Sequence, residues 1–170
     1  HGKTTTTSLI SSVLENANFD PTTIIGGIVN QYKSTTRIGK SNWMVVEADE
    51  SDGSLIDLFP KIAVLTNINK EHMDFYKNFS NLKKYFLNFT NNIPFDGVAI
   101  YCNDNTDLKK LLLESKKRNK ISYGLNKDSD VRATNILINE KGSFFDINIK
   151  KTNLLKKETI NKIRLNVLGR

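Results

Sequence analysis

Cysteine, histidine and long apolar segments are all scarce in this sequence of 170 residues. Cys102 is the single cysteine, so the chain can form neither an internal disulfide nor a zinc site built from cysteines. No apolar run approaches the roughly 20 residues that cross a bilayer, and the polar start of the chain has no signal-peptide pattern. These absences predict a cytoplasmic protein without a membrane partner.

Positive charge is plentiful but is not concentrated in one segment. The formal net charge is +7 at pH 7, and the lysines are dispersed along the chain. A surface that binds nucleic acid more often has a compact basic stripe with aromatic platforms. The charge therefore predicts a solvated surface and no nucleic-acid partner.

Helical stripes and apolar runs alternate along the first 125 residues. Helices are predicted for residues 4–18, 80–92 with Ser80 as the N-cap, and 107–118. Their apolar stripes are, in this order, Leu9, Ile10, Val13, Leu14 and Ala17; Leu82, Tyr85, Phe86, Phe89 and Ile93; and Leu108, Leu111 and Leu112. Strands are predicted for residues 24–29, 43–46, 62–67, 97–101 and 121–125, and a loop for residues 30–42. Continuous apolar runs are typical of strands buried on both faces of a parallel sheet. We therefore expect one α/β domain over residues 1–170, a doubly wound, mostly parallel P-loop-type sheet with helices on both faces.

The pattern changes from about Val131 onward. Phe145, Ile147 and Ile149 alternate with polar residues, and residues 140–143 have the composition of a turn. Alternation is typical of antiparallel strands with one face in water. This part of the chain is predicted to be a small antiparallel β extension.

The first candidate site is the tripeptide Gly2, Lys3 and Thr4, which directly precedes a predicted helix. Glycine allows backbone N–H groups to turn toward phosphate oxygens, and the helix N-terminus favours an anion. In a P-loop the lysine reaches the β- and γ-phosphates, while the threonine hydroxyl ligates Mg²⁺. The tripeptide also occurs as an ordinary helix start, and the first half of a P-loop is missing here.

The second candidate is Glu47, which ends an apolar strand. Asp49, Glu50 and Asp52 follow it closely. P-loop proteins supply an acidic Mg²⁺ ligand opposite the threonine in this way. The alternative is that these carboxylates only close the strand as solvated residues. Their density favours a cation site, with Glu47 as the natural ligand.

The third candidate is His72, one of only two histidines. It follows the predicted strand of residues 62–67, at the edge of an α/β sheet where ligands bind. A lone loop histidine is more often a surface residue. Its expected place at the same sheet edge as Glu47 keeps both interpretations open.

Taken together in this order, the motifs resemble the Mur ligase family of bacterial cell-wall enzymes. The matching segments are residues 1–6, 47–54, 66–68, 72–76, 92–95 with Gly97, and 168–170. The resemblance covers essentially the whole chain and is weakest between residues 107 and 161.

The resemblance implies a reaction, its cofactors and roles for individual residues. The family forms an amide bond at the expense of ATP through an acyl-phosphate intermediate, and the match implies L-alanine and UDP-N-acetylmuramate as substrates. Lys3 would stabilise the transferring phosphoryl group, and Thr4 and Glu47 would hold the Mg²⁺ on ATP. His72 would ligate a second Mg²⁺. Lys3 and His72 would therefore be the two catalytic residues. The nucleotide-binding set implied by the resemblance is His1, Gly2, Lys3, Thr4 and Thr5.

The resemblance also implies that the chain is the central ATP-binding domain of a longer protein. The N-terminal UDP-binding domain and the C-terminal domain of the family would then be absent, and residues 1–170 alone would be inactive as a ligase.

Two alternatives remain open at this point. The nearest is the family member that ligates a recycled tripeptide to UDP-muramate, from which Ser51 and residues 73–76 differ. Sibling ligases that add later amino acids carry a carbamylated lysine, and residues 85–89 offer no lysine for that role. The more distant alternative is a non-catalytic module that binds nucleotide or nucleic acid.

Overall fold

The computed structural model describes residues 1–29 and 34–166. The chain divides into two compact units, residues 1–53 and the residues from Ser54 onward. Within the described residues, no helix has both the length and the apolar character needed to cross a membrane.

The first unit contains one helix and a three-stranded sheet. Its elements are α1 (Lys3–Asn16), β1 (Thr22–Val29), β2 (Ser34–Arg37) and β3 (Met44–Val46). The order across the sheet is β2-β1-β3, with β1 antiparallel to β2 and parallel to β3. β1 is rich in β-branched residues, which suit a pleated strand.

Hydroxyl groups, and not the predicted apolar stripe, form the buried side of α1. The buried residues of this helix are Thr7 and Ser11, whereas Val13 of the expected stripe is 67% exposed. The Ser11 hydroxyl oxygen lies 2.6 Å from that of buried Thr23 in β1. Small side chains let the helix approach the strand closely, and the mutual hydrogen bond satisfies both buried hydroxyls. Leu9, Ile10 and Leu14 of the predicted stripe are half-buried, so the stripe is not the most buried side of this helix.

Two further expectations for the first unit need correction. The predicted loop of residues 30–42 contains strand β2, and its residues 30–33 lie outside the described residues. The run of residues 43–46 does form a strand, but it is not buried on both faces, because Met44 is 60% exposed. In the sheet of the first unit, β3 is an edge strand with a partner on one side.

The second unit is built on a six-stranded sheet in the order β4-β5-β6-β7-β8-β9. Its elements are a 3₁₀ helix (Ser54–Asp57), β4 (Ile62–Leu65), α2 (Met73–Tyr76), α3 (Phe79–Asn92), β5 (Val98–Cys102), α4 (Thr106–Glu114), β6 (Lys120–Gly124), β7 (Val131–Asn139), β8 (Gly142–Ile149) and β9 (Glu158–Leu165). Strands β4 to β7 pair in parallel and β7 to β9 pair antiparallel. The mixed α/β fold class and the antiparallel extension are thus confirmed.

Helices α3 and α4 connect the parallel strands and bury their leucine and phenylalanine stripes. Leu82, Phe86 and Phe89 of α3 are buried as predicted, and so are the three predicted leucines of α4. The two helices contact each other, so they cover the same face of the sheet. The N-cap of α3 is Asn78, whose side chain accepts from the Asn81 N–H at 2.9 Å, and not Ser80 as predicted.

Polar and apolar side chains alternate along residues 145–149 of β8. Asn148 donates to the Thr134 hydroxyl at 2.8 Å, while the alternating residues Phe145 and Ile147 face the other way. Gly142 closes the β7–β8 hairpin with a φ of 120°, a conformation that favours glycine. The turn predicted at residues 140–143 is confirmed.

Leu108 in α4 tests the contribution of this helix stripe to stability. It is 0% exposed, so Leu108→Ala is expected to lower the free energy of unfolding by about 2–5 kcal/mol, as for other buried leucines. Leu113 in the same helix is 73% exposed, and Leu113→Ala is expected to change it by less than about 0.5 kcal/mol. Denaturant unfolding of both variants measures the difference, and equal losses would contradict the assigned face.

Candidate functional site

A glycine in the left-handed conformation starts helix α1. Gly2 is the N-cap residue, with φ 74° and ψ 9°, and its carbonyl accepts from the Thr6 N–H at 3.0 Å. Glycine adopts this conformation without the steric cost that a Cβ atom brings. The first N–H groups of a helix have no partner within the helix, and together with the helix dipole they favour an anion. The predicted phosphate-binding segment therefore has suitable backbone geometry.

The Glu47 carboxylate is held at both of its oxygens. Its Oε1 accepts from the Thr4 hydroxyl at 2.8 Å, and its Oε2 accepts from the backbone N–H of Gly26 at 2.8 Å. Strand β3 brings the residue to this place, since the Glu47 N–H donates to the carbonyl of Ile24 in β1 at 2.9 Å. The structure thus brings Thr4 and Glu47 into direct contact across 43 residues of sequence.

Two glycines of β1 create the space for this contact. A Cβ atom on Gly26 would lie 3.3 Å from Glu47 Oε2, and one on Gly27 would lie 3.2 Å from Thr4 Cγ2. Both distances are shorter than ordinary van der Waals contacts between carbon and its neighbours. Glycine pairs in a strand often mark a close approach of other groups. Here they admit the two side chains that the sequence predicts as cation ligands.

Lys3 is paired with two carboxylates that follow Glu47. Its Nζ lies 2.5 Å from Glu50 Oε2 and 3.1 Å from Asp49 Oδ1. Burial by itself lowers the pKa of Lys3, but the hydrogen bonds and charges of Glu50 and Asp49 outweigh it and raise the pKa above the ordinary value. Lys3 therefore carries its positive charge at the start of α1.

Asp49 is the more exposed of the two partners. Burial alone raises its pKa, but the hydrogen bonds from Lys3 and from the Ser51 N–H hold the pKa below its usual range. The Ser51 N–H donates to the same Oδ1 atom at 3.1 Å. Asp49 is therefore an ionised side chain whose loop geometry aims it at Lys3.

His72 lies in the second unit and has an unusual backbone conformation. It precedes the four-residue helix α2 with φ 55° and ψ 36°, the left-handed region. The N–H groups of Phe75 and Tyr76 both donate to its carbonyl at 3.0 Å. A residue other than glycine pays a conformational cost here, which persists only where the surrounding structure imposes it.

Aromatic packing provides that constraint. Tyr76 at the end of α2 is buried and meets the ring of Tyr85 in α3 edge-on, with centroids 5.0 Å apart. The Phe75 ring packs against Tyr76 in the same way at 4.9 Å. Edge-to-face pairs of this kind stabilise a fixed arrangement. Helix α2 is thereby anchored to α3, and His72 is presented at its exposed start.

The structure places the predicted site residues in two groups. Lys3, Thr4 and Glu47 meet in the first unit, whereas His72 belongs to the second. His1, Gly2 and Thr5 are exposed at the start of α1. The sequence did not predict that Asp49 and Glu50 pair with Lys3, because nothing local relates residues some 46 positions apart. Gly26 and Gly27 did carry a signal, as a glycine pair inside an apolar strand.

In the first unit, a carboxylate opposite the start of a glycine-led helix is the arrangement typical of P-loop proteins. Residues 1–170 match the family model of the Mur ligase middle domain. The chain therefore belongs to the Mur ligase family.

Relatives and solved structures agree with this family. The chain is 46% identical over 151 residues to a protein of Hyphomonas neptunium named UDP-N-acetylmuramate–L-alanine ligase. The aligned residues make up 89% of this chain and 32% of the relative. The chain thus spans about a third of the length of that relative.

Similarity to solved structures extends over most of the fold. The structure of the UDP-N-acetylmuramate:L-alanyl-γ-D-glutamyl-meso-diaminopimelate ligase of Neisseria meningitides matches with a TM-score of 0.83 and 23% identity, over 100% of this chain and 54% of that one. The MurF ligase of Thermotoga maritima, solved in complex with ADP, matches with a TM-score of 0.68 and 20% identity, over 87% of this chain and 36% of that one. At these identities the likeness concerns the fold.

The oxygen donors of the first unit fit a magnesium ion. The Thr4 hydroxyl and the Glu47 carboxylate already lie within 2.8 Å of each other. Mg²⁺ prefers oxygen ligands, usually one or two carboxylates together with waters and the phosphates of a substrate. The chemistry of these donors is therefore suitable for a metal bound together with a nucleotide.

Gly27 offers a test of the contact between β1 and Thr4. Gly27→Ala is expected to lower the free energy of unfolding, because its new methyl group meets Thr4 Cγ2 at 3.2 Å. In a Thr4→Ser background, which keeps the hydroxyl but lacks Cγ2, we expect the same substitution to cost less by about 0.5 kcal/mol or more. Denaturant unfolding of the four proteins measures this coupling, and additive effects would argue against the close approach.

Proposed function

We propose that this chain is the ATP-binding part of a ligase that joins L-alanine to UDP-N-acetylmuramate. The observation that carries the proposal is the contact of Thr4 and Glu47 beside Lys3 at the start of α1. The family membership and the name of the Hyphomonas relative support the choice of reaction. Because the chain spans about a third of that relative, the activity of a whole protein is part of the proposal. The proposal includes a cytoplasmic location, where ATP is available.

The nucleotide is proposed to place its phosphates at the N-terminus of α1. Gly2 gives the backbone its turn, and the exposed residues His1 and Thr5 flank the position. The Lys3 ammonium donates to the phosphate oxygens, because its raised pKa keeps it charged. The MurF ligase of similar fold was solved in complex with ADP, which supports the use of a nucleotide.

Thr4 and Glu47 are proposed to hold Mg²⁺ on the phosphates, and His72 to ligate a second Mg²⁺. Bound magnesium supplies charge neutralisation where the γ-phosphoryl group is transferred. Glu47 contributes a carboxylate that the Gly26 N–H orients in advance. His72 contributes an imidazole on a backbone held by the anchored helix α2.

The proposed reaction has two steps, and the residues of this chain serve the first. The muramate carboxylate attacks the γ-phosphorus and forms an acyl phosphate, while ADP leaves. The amine of L-alanine then attacks the acyl carbon and phosphate departs. In the first step the Lys3 ammonium stabilises the negative charge on the transferring phosphoryl group. Such charge stabilisation is the main requirement of phosphoryl transfer.

Lys3→Ala is the first test of this function. We expect it to reduce alanine-dependent phosphate release about 100-fold or more, since one preorganised charge at a transition state is worth that much. The assay uses a chimera in which residues 1–170 replace the matching third of the Hyphomonas relative. The unsubstituted chimera is the control, and it should accept L-alanine but not the L-alanyl-γ-D-glutamyl-meso-diaminopimelate tripeptide. Normal turnover of the Lys3→Ala chimera would reject the assignment.

His72→Ala separates the second metal from nucleotide binding. In the same chimera we expect the turnover number to fall about tenfold or more, as is common when metal binding is disturbed, while the affinity for ATP is retained. The exposed Lys84 on α3 provides a surface control, and Lys84→Ala should leave turnover unchanged. Unchanged kinetics of the His72→Ala chimera would remove this residue from the site.

A further inference from the structure

The Lys3 ammonium is engaged by carboxylates at the place where the proposed function requires it to bind phosphate. Its Nζ donates to Asp49 at 3.1 Å and to Glu50 at 2.5 Å. An ammonium group has three N–H donors, so two are in use. An arriving phosphate therefore competes with at least part of this arrangement.

The two carboxylates are not equivalent. The side chain of Asp49 is 61% exposed, whereas that of Glu50 is 13% exposed. An exposed ion pair contributes little, because water solvates both charges after separation. Water and salt screen a mostly buried carboxylate much less, so separating it from the lysine is less favourable than separating an exposed one.

We propose that Asp49 is an exchangeable placeholder for the nucleotide phosphate on Lys3, and that Glu50 is a positioning residue that stays bound. The inference rests on the proposed function, because it concerns the same nucleotide site. Before binding, Asp49 neutralises the ammonium at the start of α1. On binding, phosphate oxygens replace Asp49, while Glu50 keeps the ammonium aimed at them.

Local structure makes this exchange possible with little rearrangement. The Ser51 N–H donates to Asp49 Oδ1 at 3.1 Å, so the carboxylate retains a backbone donor when Lys3 turns away. Its exposure gives it water as a second partner. The contact with the mostly buried Glu50 limits the movement of the lysine side chain, which lowers the entropy lost when phosphate binds.

The two substitutions are expected to act in opposite directions. Asp49→Asn removes the competing charge and should tighten binding of Mg²⁺-ATP to the chimera that carries residues 1–170 about three- to tenfold at low salt. This gain should shrink as salt increases, because the Asp49 side chain is exposed. Glu50→Gln removes the charge that orients Lys3 and should weaken binding about threefold or more. Isothermal titration calorimetry with Mg²⁺-ATP measures both.

Two controls separate exchange on Lys3 from a general effect of charge. Asp52→Asn removes an equal charge from the same loop and should change the affinity by less than about twofold. In a Lys3→Ala background, Asp49→Asn should lose most of its effect, because there is no ammonium to compete for. Thermal unfolding of each variant checks that the fold is retained.

The outcomes distinguish this inference from the proposed function. If the unsubstituted chimera fails to bind Mg²⁺-ATP, the nucleotide site and the exchange are both rejected. If it binds but Asp49→Asn is neutral or weaker, the exchange alone is rejected, and weaker binding would indicate a metal ligand instead. If Asp49→Asn tightens Mg²⁺-ATP binding equally in the Lys3→Ala background, Asp49 acts only by repelling phosphate, and the exchange is rejected. Tighter binding of the Glu50→Gln variant would overturn the positioning role.

Discussion

The contact between the Thr4 hydroxyl and the Glu47 carboxylate is the constraint on which the candidate site depends. It requires that α1 begin beside the end of β3 and that β1 between them carry no side chains at Gly26 and Gly27. The Gly26 N–H then fixes the second oxygen of the carboxylate. The buried hydroxyl pair of Ser11 and Thr23 holds the same helix against the same strand one turn or more further along. Packing and site geometry are thus two results of one close approach.

The charges around this contact are arranged for exchange with an anion. A lysine at a helix start would add to the positive potential of the helix dipole, and Asp49 and Glu50 balance it. The balance is uneven, because one carboxylate is exposed and the other is mostly buried. In the proposed exchange, phosphate replaces the exposed carboxylate, while the buried carboxylate keeps the Lys3 ammonium in position. Electrostatic preorganisation of this kind is what phosphoryl transfer mainly demands of a protein.

The second unit contributes a different kind of order. His72 sits at a strained backbone position that aromatic packing between α2 and α3 maintains. The leucine and phenylalanine stripes of α3 and α4 supply apolar burial, and its favourable free energy offsets such strain. Lys77, at the other end of α2, also has a positive φ of 67°, so the short helix is bounded by two strained residues. Its conformation depends on its anchor more than on its own sequence.

The sequence by itself determined the elements whose signals are local. The stripe of α3, the parallel strand at residues 62–65, the turn at Gly142 and the motif residues Lys3, Thr4 and Glu47 were all evident from spacing and residue type. The tertiary structure alone decided which distant groups meet: Lys3 with Asp49 and Glu50, Ser11 with Thr23, and Glu47 with the Gly26 N–H. Periodicity shows which side of a helix can be apolar. It does not show that hydroxyls are buried on α1, since that burial results from the close approach of a glycine-containing strand. The partners in these contacts lie 12 to 47 positions apart in the sequence. Only the folded backbone brings them together, and so only the tertiary structure decides which charges and hydrogen-bonding groups interact.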